Sequence, residues 1–268
     1  MHGMHARLPK NFVLEERLER YRDQIELEPK RWRGRWAEAA AAIGAPPFSS
    51  VRVDVGCGKG AFLVEAARRE PDVLFVGIDA EPLCVAYTAQ HVAEAGLKNA
   101  LVVAGKGDVV PDAFATGEVE RIYLNFPTPY PRKKEASKRL VSLERLLDYR
   151  LVLAPAGEVR LRTDSVPLRE FALTQFDLAG YTITYATDDE RRELPDEPSS
   201  EYELRLAAQG ATVLGLWATP SREAAKEIPD FSLSLVDYLP DDLFQGSYVP
   251  HGMGGTIVNL RNRAIRGH

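Results

Sequence analysis

Gly56, Gly58 and Gly60 lie between the apolar runs VRVDV and AFLVEAARRE, and a second apolar run, VLFVGID, ends in Asp79. Glycines accept positive φ and let a ligand approach backbone that a side chain would block. An acid at the tip of the next strand, roughly twenty residues on, accepts hydrogen bonds from the two hydroxyls of a ribose. A glycine pattern alone is weak, and the strand context is what strengthens it. The spacing is G-x-G-x-G, with no third small residue after a longer gap and so no cradle for a pyrophosphate. It suits S-adenosylmethionine, with Asp54 near the methionine amine; the plainer reading of Asp54 is a strand carboxylate paired with Arg52.

A second group runs from Tyr123 to Leu140, YLNFPTPYPRKKEASKRL. Pro127, Pro129 and Pro131 rule out a continued central strand and force a stiff loop at the strand's C-terminal edge, where open α/β sheets bind their ligands. Tyr130 can stack on a base, and Arg132, Lys133, Lys134, Lys138 and Arg139 can meet phosphates. The ordinary alternative is a proline-stiffened loop with a solvated charge run. A cluster nearer the N-terminus, Lys30, Arg31, Arg33 and Arg35 with Trp32 and Trp36, either extends that track or turns its tryptophans into the core and its cations to water.

The elements that must position these groups follow a βα rhythm. Strands are expected at 51–55, 73–78, 100–104, 119–126, 157–163, 181–187 and 211–218, with helices at about 60–69, 81–95, 108–115, 138–153, 165–179 and 201–209. Strands separated by crossover helices imply an α/β fold, a seven-stranded, mostly parallel, doubly wound sheet. Residues 11–43 carry helical spacing and end at Gly44, Pro46 and Pro47. Three parts result: an N-terminal helical segment (1–46), the α/β domain (47–218) and a C-terminal extension (219–268) that breaks the rhythm and serves as an interaction appendage or a lid.

Of the 268 residues, 45% are hydrophobic and 27% charged, the balance of an ordinary globular protein. The formal net charge of -5 means that an anionic partner must be met by local patches. The N-terminal residues lack the apolar core of a signal peptide and no run is long enough to span a membrane, so a cytoplasmic location is expected. Cys57 and Cys84 are too few for a disulfide framework and His2, His5, His91, His251 and His268 are scattered, so no metal site is expected.

With VDVGCGKG, GID, YLNFPTPYPRKK and a later Thr163-Asp164 in this order, the chain resembles the bacterial tRNA guanine-N7 methyltransferases over roughly residues 50–218. A Thr-Lys-Phe-Glu motif of that family is matched loosely by Ser200, Glu201, Tyr202 and Glu203. The resemblance implies a Rossmann-like class I methyltransferase fold, S-adenosylmethionine as cofactor and a guanine of tRNA as acceptor. It assigns Asp54, Gly56, Gly58, Gly60, Asp79, Lys106 and Asn125 to the cofactor, and Tyr130, Arg132, Asp164, Ser200, Tyr202 and Glu203 to the substrate. Thr128 and Asp164 take the catalytic positions. The chain departs from the pattern where Asp-Pro-Trp becomes Thr128, Pro129, Tyr130, where the later Lys becomes Glu201, and where an expected Asp or Asn aligns with Lys106 unless the loop presents Asp108. The departures keep two alternatives open: an N-methyltransferase of a small purine-like or other heteroaromatic metabolite, and a non-catalytic cofactor- or RNA-binding paralogue.

Overall fold

The structure, a computed structural model, describes residues 13–39, 47–199, 201–225, 230–240, 249–250 and 252–266. Its strands are β1 (Ile25–Glu26), β2 (Ser50–Val55), β3 (Val73–Asp79), β4 (Ala100–Ala104), β5 (Val119–Asn125), β6 (Leu153–Thr163), β7 (Tyr181–Thr187) and β8 (Leu214–Pro220). Its helices are α1 (Leu14–Arg20), α2 (Ala61–Arg69), α3 (Pro82–Glu94), α4 (Val110–Ala113), α5 (Leu143–Val152), α6 (Val166–Leu178), α7 (Glu190–Glu193), α8 (Glu201–Ala208) and α9 (Gly254–Arg266). The strands form one sheet in the order β1-β4-β3-β2-β5-β6-β8-β7. All neighbours from β1 to β6 are parallel, and β8 runs antiparallel to both β6 and β7.

The expected sheet is present with one strand more. β2, β3 and β4 are almost wholly buried, β3 and β4 as apolar runs and β2 with Arg52 and Asp54 between its valines, as strands covered by helices on both faces must be. From β2 the chain steps outward through β3 and β4, then returns to place β5 on the other side of β2. That reversal opens a crevice at the C-terminal ends of β2 and β5. Facing residues there are Val53 with Ile122 and Asp54 with Tyr123.

The extra strand, β1, falls where one helix over 11–43 was expected. Pro29 and the positive φ of Gly34 interrupt the helix, and the buried Glu26 carboxylate gathers the chain around itself. It accepts from Glu28 N at 2.7 Å, Arg31 Nη2 at 2.8 Å and Trp32 Nε1 at 2.8 Å. Trp36 enters the core, its Nε1 donating to Ala113 O at 2.8 Å and its ring stacked on Phe114. Arg31 and Arg35 lie over Trp32, and Lys30 pairs with Asp112. The cations of this cluster therefore belong mainly to its own packing. Elsewhere the helix expected at 108–115 shrinks to a 3-10 turn followed by α4, and that expected at 138–153 begins only at Leu143.

The core does not stop at residue 218. Leu235, Met253 and Ile257 are fully buried and belong to the same apolar cluster as Val53, Ile122 and Phe171. Phe231 and Tyr238 pack on Phe171. The described part of the C-terminal extension thus covers α6 and shares one core with the sheet.

Candidate functional site

The glycine turn is built as the spacing requires. Gly56, Gly58 and Gly60 have φ of 79°, 57° and 77°, and Gly56 N returns to Ile78 O at 2.7 Å. The three are not equivalent. A Cβ on Gly60 would stand 2.7 Å from Thr88 Cγ2, whereas one on Gly58 would meet nothing within 4 Å. Gly60 is needed for packing against α3, and Gly58 borders open space. Cys57 fills the gap left by Gly77 on β3, and burial pushes its thiol well above the ordinary range, which suits a packing residue.

Asp79 ties this turn to the next helix: Oδ2 accepts from Gly58 N and Oδ1 from Glu81 N, both at 2.9 Å. Desolvation raises its carboxyl pKa despite those bonds. Asp54 is 1% exposed. It is not paired with Arg52, which turns to Glu70 and Glu120 at 2.7 and 2.9 Å. Asp54 Oδ1 instead accepts from Asn125 Nδ2 at 3.2 Å, while Asp54 Oδ2 and Asn125 Oδ1 are buried and accept no hydrogen bond among the described residues. Burial pushes the Asp54 carboxyl up to about 7, the Asn125 bond opposing. Two orphaned acceptors side by side suit a cationic donor group. Lys106 is exposed where the chain leaves β4, and Gly105 N donates to Asp79 O at 2.9 Å.

Across the crevice, the loop after β5 is held in an unusual form. Phe126 and Tyr130 both have positive φ, 50° and 46°, conformations that cost a non-glycine residue about 1–3 kcal/mol and persist only where the surroundings enforce them. Thr128 is exposed at the loop's tip and Pro129 is buried. Arg132 is exposed and forks onto Glu135 at 2.7 and 3.0 Å, and Lys138 Nζ lies 5.7 Å from the Tyr130 ring centroid. Lys133 and Lys134 are exposed, as a phosphate-facing role requires.

Arg139 departs from that expectation. It is fully buried, donating through Nε to Pro129 O and Tyr130 O and through Nη2 to Tyr130 O and Leu233 O. Its guanidinium lies 4.4 Å from the Phe171 ring centroid, and burial pulls its pKa down to about 10. The side chain fastens the loop from behind and, being buried, does not meet a phosphate at the surface. Nothing in the run PRKKEASKR marks Arg139 off from the other cations. Its burial depends on residues 231–239, which lie far along the chain.

Asp164 and Ser165 follow β6 and are buried, with Ser165 Oγ capping α6. Two residues earlier, Arg162 pairs in register with Asn125 and is clasped by Glu190 and Glu203 at 2.5 and 3.0 Å. Glu203 also lies 3.5 Å from Arg191. The structure therefore gives Glu203 the task of holding Arg162, whose charge in turn lowers the Asp54 pKa. The sequence reading missed Arg162, although RLRTD places it in phase with Asp164. Ser200 lies outside the described residues, as do the side chains of Glu201 and Tyr202. No group of three or more potential metal ligands occurs among the described residues, and no described helix is long and apolar enough to cross a membrane.

A family described as putative methyltransferase matches residues 49–216. A tRNA (guanine-N(7)-)-methyltransferase of Streptococcus equi subsp. zooepidemicus is 30% identical over 214 residues, 80% of this chain and 99% of its own length. The chain belongs to the tRNA (guanine-N7-)-methyltransferase family. A second such relative, from Geobacillus kaustophilus, is 31% identical over 73% of this chain and 88% of its own. Among solved structures, the 16S rRNA methyltransferase KamB superposes with a TM-score of 0.51 at 22% identity, covering 65% of this chain and 89% of its own. A 16S rRNA (adenine(1408)-N(1))-methyltransferase variant from Catenulisporales acidiphilia gives 0.52 at 19% identity, covering 74% and 93%. These two show the fold. The protein is thus a methyltransferase of Rossmann-like class I architecture. Both of these relatives are named for tRNA, and neither for a small heteroaromatic acceptor. The family match ends at residue 216, so the packed C-terminal extension lies beyond it.

Proposed function

We propose that this methyltransferase uses S-adenosylmethionine to modify guanine N7 in tRNA. The observation that carries the reading is the pair of orphaned buried oxygens of Asp54 and Asn125 at the C-terminal ends of β2 and β5, from which the open glycine turn and the loop that exposes Thr128 lead off. When bound, the cofactor supplies an electrophilic methyl group on a sulfonium centre. Asp54 and Asn125 would hold the methionine amine, Asp79 the ribose and Gly58 the space for the ligand, with Lys106 at the rim. Asp79 has acceptor capacity left beyond its two backbone bonds.

Guanine N7 carries a lone pair and no proton, so the acceptor needs no general base. The protein's task is to orient the ring and to offset the positive charge that develops on it. Thr128 offers one hydroxyl at the loop tip without a charge. Asp164, buried at the end of β6, is the anionic group this chain keeps on the acceptor side. Tyr130 supplies an aromatic face, and Lys133 and Lys134, with Arg132 once released from Glu135, supply cations for phosphates. Support for the tRNA acceptor comes from relatives that the chain covers almost end to end.

The test is to incubate the purified protein with labelled S-adenosylmethionine and unmodified tRNA, then digest the RNA to nucleosides. Labelled 7-methylguanosine is the expected product. Its absence from a protein that still binds the cofactor overturns the proposal.

A further inference from the structure

The extension beyond the family match is folded against the acceptor loop. Leu235 N donates to Pro131 O at 3.0 Å, and Arg139 Nη2 bridges Tyr130 O and Leu233 O at 2.7 and 2.9 Å. Gly252, with φ of +73°, passes so near the loop that a Cβ would stand 2.8 Å from Pro129 Cδ. Ser165 Oγ, next to Asp164, donates to Met253 Sδ at 3.3 Å. Helix α9 therefore begins beside the acceptor loop. At 1.5 Å per residue its far end lies within about 20 Å of that start.

The two faces of α9 differ in kind. Met253, just before it, and Ile257 are fully buried. Asn259, Asn262, Arg263 and Arg266 share the opposite stripe, at i, i+3, i+4 and i+7, are largely exposed and line one open recess. The helix sequence GGTIVNLRNRAIR has three arginines and no carboxylate, in a chain whose net charge is -5. Core packing accounts for the buried stripe only.

We infer that the outward face of α9 binds the sugar–phosphate backbone of the RNA whose base enters the acceptor loop, an inference that rests on the tRNA reading above. Arginine forks match phosphate oxygens in bidentate geometry, and asparagine amides donate to phosphate or accept from a 2′-hydroxyl. Such contacts position the RNA and carry no base information. Their continuity with Gly252 and Met253 couples backbone capture to the loop that presents Thr128.

The experiment titrates unmodified tRNA against the wild type and the double variant Arg263→Ala/Arg266→Ala at several salt concentrations, with methylation measured in parallel. The variant is expected to bind tRNA about five- to tenfold more weakly, and its plot of log affinity against log salt should be flatter by about 1.4–1.8 in slope. The loss should fall on the Kd and KM for tRNA and leave cofactor affinity alone. Asn259→Ala/Asn262→Ala, which changes no charge, should raise KM while sparing the salt slope. Arg68→Ala/Arg69→Ala, at the end of α2 remote from the crevice, is the control for general charge loss. A wild type that methylates tRNA together with an Arg263/Arg266 variant that binds it unchanged, or no more weakly than the control, overturns this inference alone. A wild type that makes no 7-methylguanosine overturns the reading on which it rests.

Discussion

On the proposed reading, Asp54 is the residue at which stability and ligand binding pull in opposite directions. Its carboxyl titrates near 7 in the fold and at 3.8 when unperturbed, burial being the main cause. Below about pH 3 both folded and unfolded chains hold the proton and no cost arises. As pH rises toward 7 the unfolded chain ionises first, so stability falls, and above 7 the cost is complete. Asp54→Asn should therefore raise the melting temperature near pH 8, leave it unchanged at about pH 3, and still bind S-adenosylmethionine at least about tenfold more weakly, a loss of about 1.4 kcal/mol. A variant that binds as tightly as the wild type removes Asp54 from the cofactor site. The glycines offer a second contrast. Gly60→Ala must push against Thr88 at 2.7 Å and should lower stability by several kcal/mol, since strain of positive φ adds to overpacking. Gly58→Ala has free space around its Cβ and should cost only about 1–2 kcal/mol while blocking cofactor titration. Equal losses of stability in thermal unfolding would refute that division of roles. On the acceptor side, Thr128→Asp restores a charge at the loop tip and should raise kcat/KM for tRNA by tenfold or more; an unchanged rate would show that Asp164 already provides the needed anion.

At the scale of elements, the acceptor loop is kept in place by parts that come late in the chain. Two positive φ angles within five residues, at Phe126 and Tyr130, need an enforcing contact, and Arg139 and the Leu235 backbone supply it from behind. Leu235→Ala should cost about 2–5 kcal/mol of stability as a buried truncation. It should also raise the KM for tRNA more than the Kd for cofactor, because the slackened loop faces only the acceptor. Equal changes in the two would mean that the loop is fixed by its prolines alone. The same contrast explains what could be read from sequence. β2, β3 and the turn between β2 and α2 were legible because local rules decide them: buried branched runs, glycines at positive φ, an acid at a strand tip. Arg139 was not legible as a buried residue, since its environment is made by Leu233 and Phe171, which are distant in the chain. The N-terminal helix failed for a related reason. Its periodicity was real, but the Glu26 carboxylate, by accepting from Glu28, Arg31 and Trp32, offered the backbone a better alternative than a continuous helix.

For the whole molecule, the question is whether the C-terminal extension is an appendage or part of the fold. The family match ends at residue 216 and the streptococcal relative aligns over 99% of its own length with 214 residues of this chain, which would argue that a chain without the extension stands by itself. The packing argues otherwise. Leu235, Met253 and Ile257 are each fully buried in the central cluster, and burying a side chain of that size contributes about 1.5–3 kcal/mol. Three of them approach the whole net stability of an ordinary domain, about 5–15 kcal/mol. Removal would also uncover Phe171 on α6 and strip Arg139 of its Leu233 acceptor. A chain truncated after residue 229 is therefore expected to lose its cooperative thermal transition or to aggregate on expression, and to lose cofactor binding with it, although no proposed cofactor residue has been removed. Calorimetry and cofactor titration of the truncated protein check this. A cooperative transition within a few degrees of the full chain, with cofactor affinity retained, would make residues 230–268 an appendage after all.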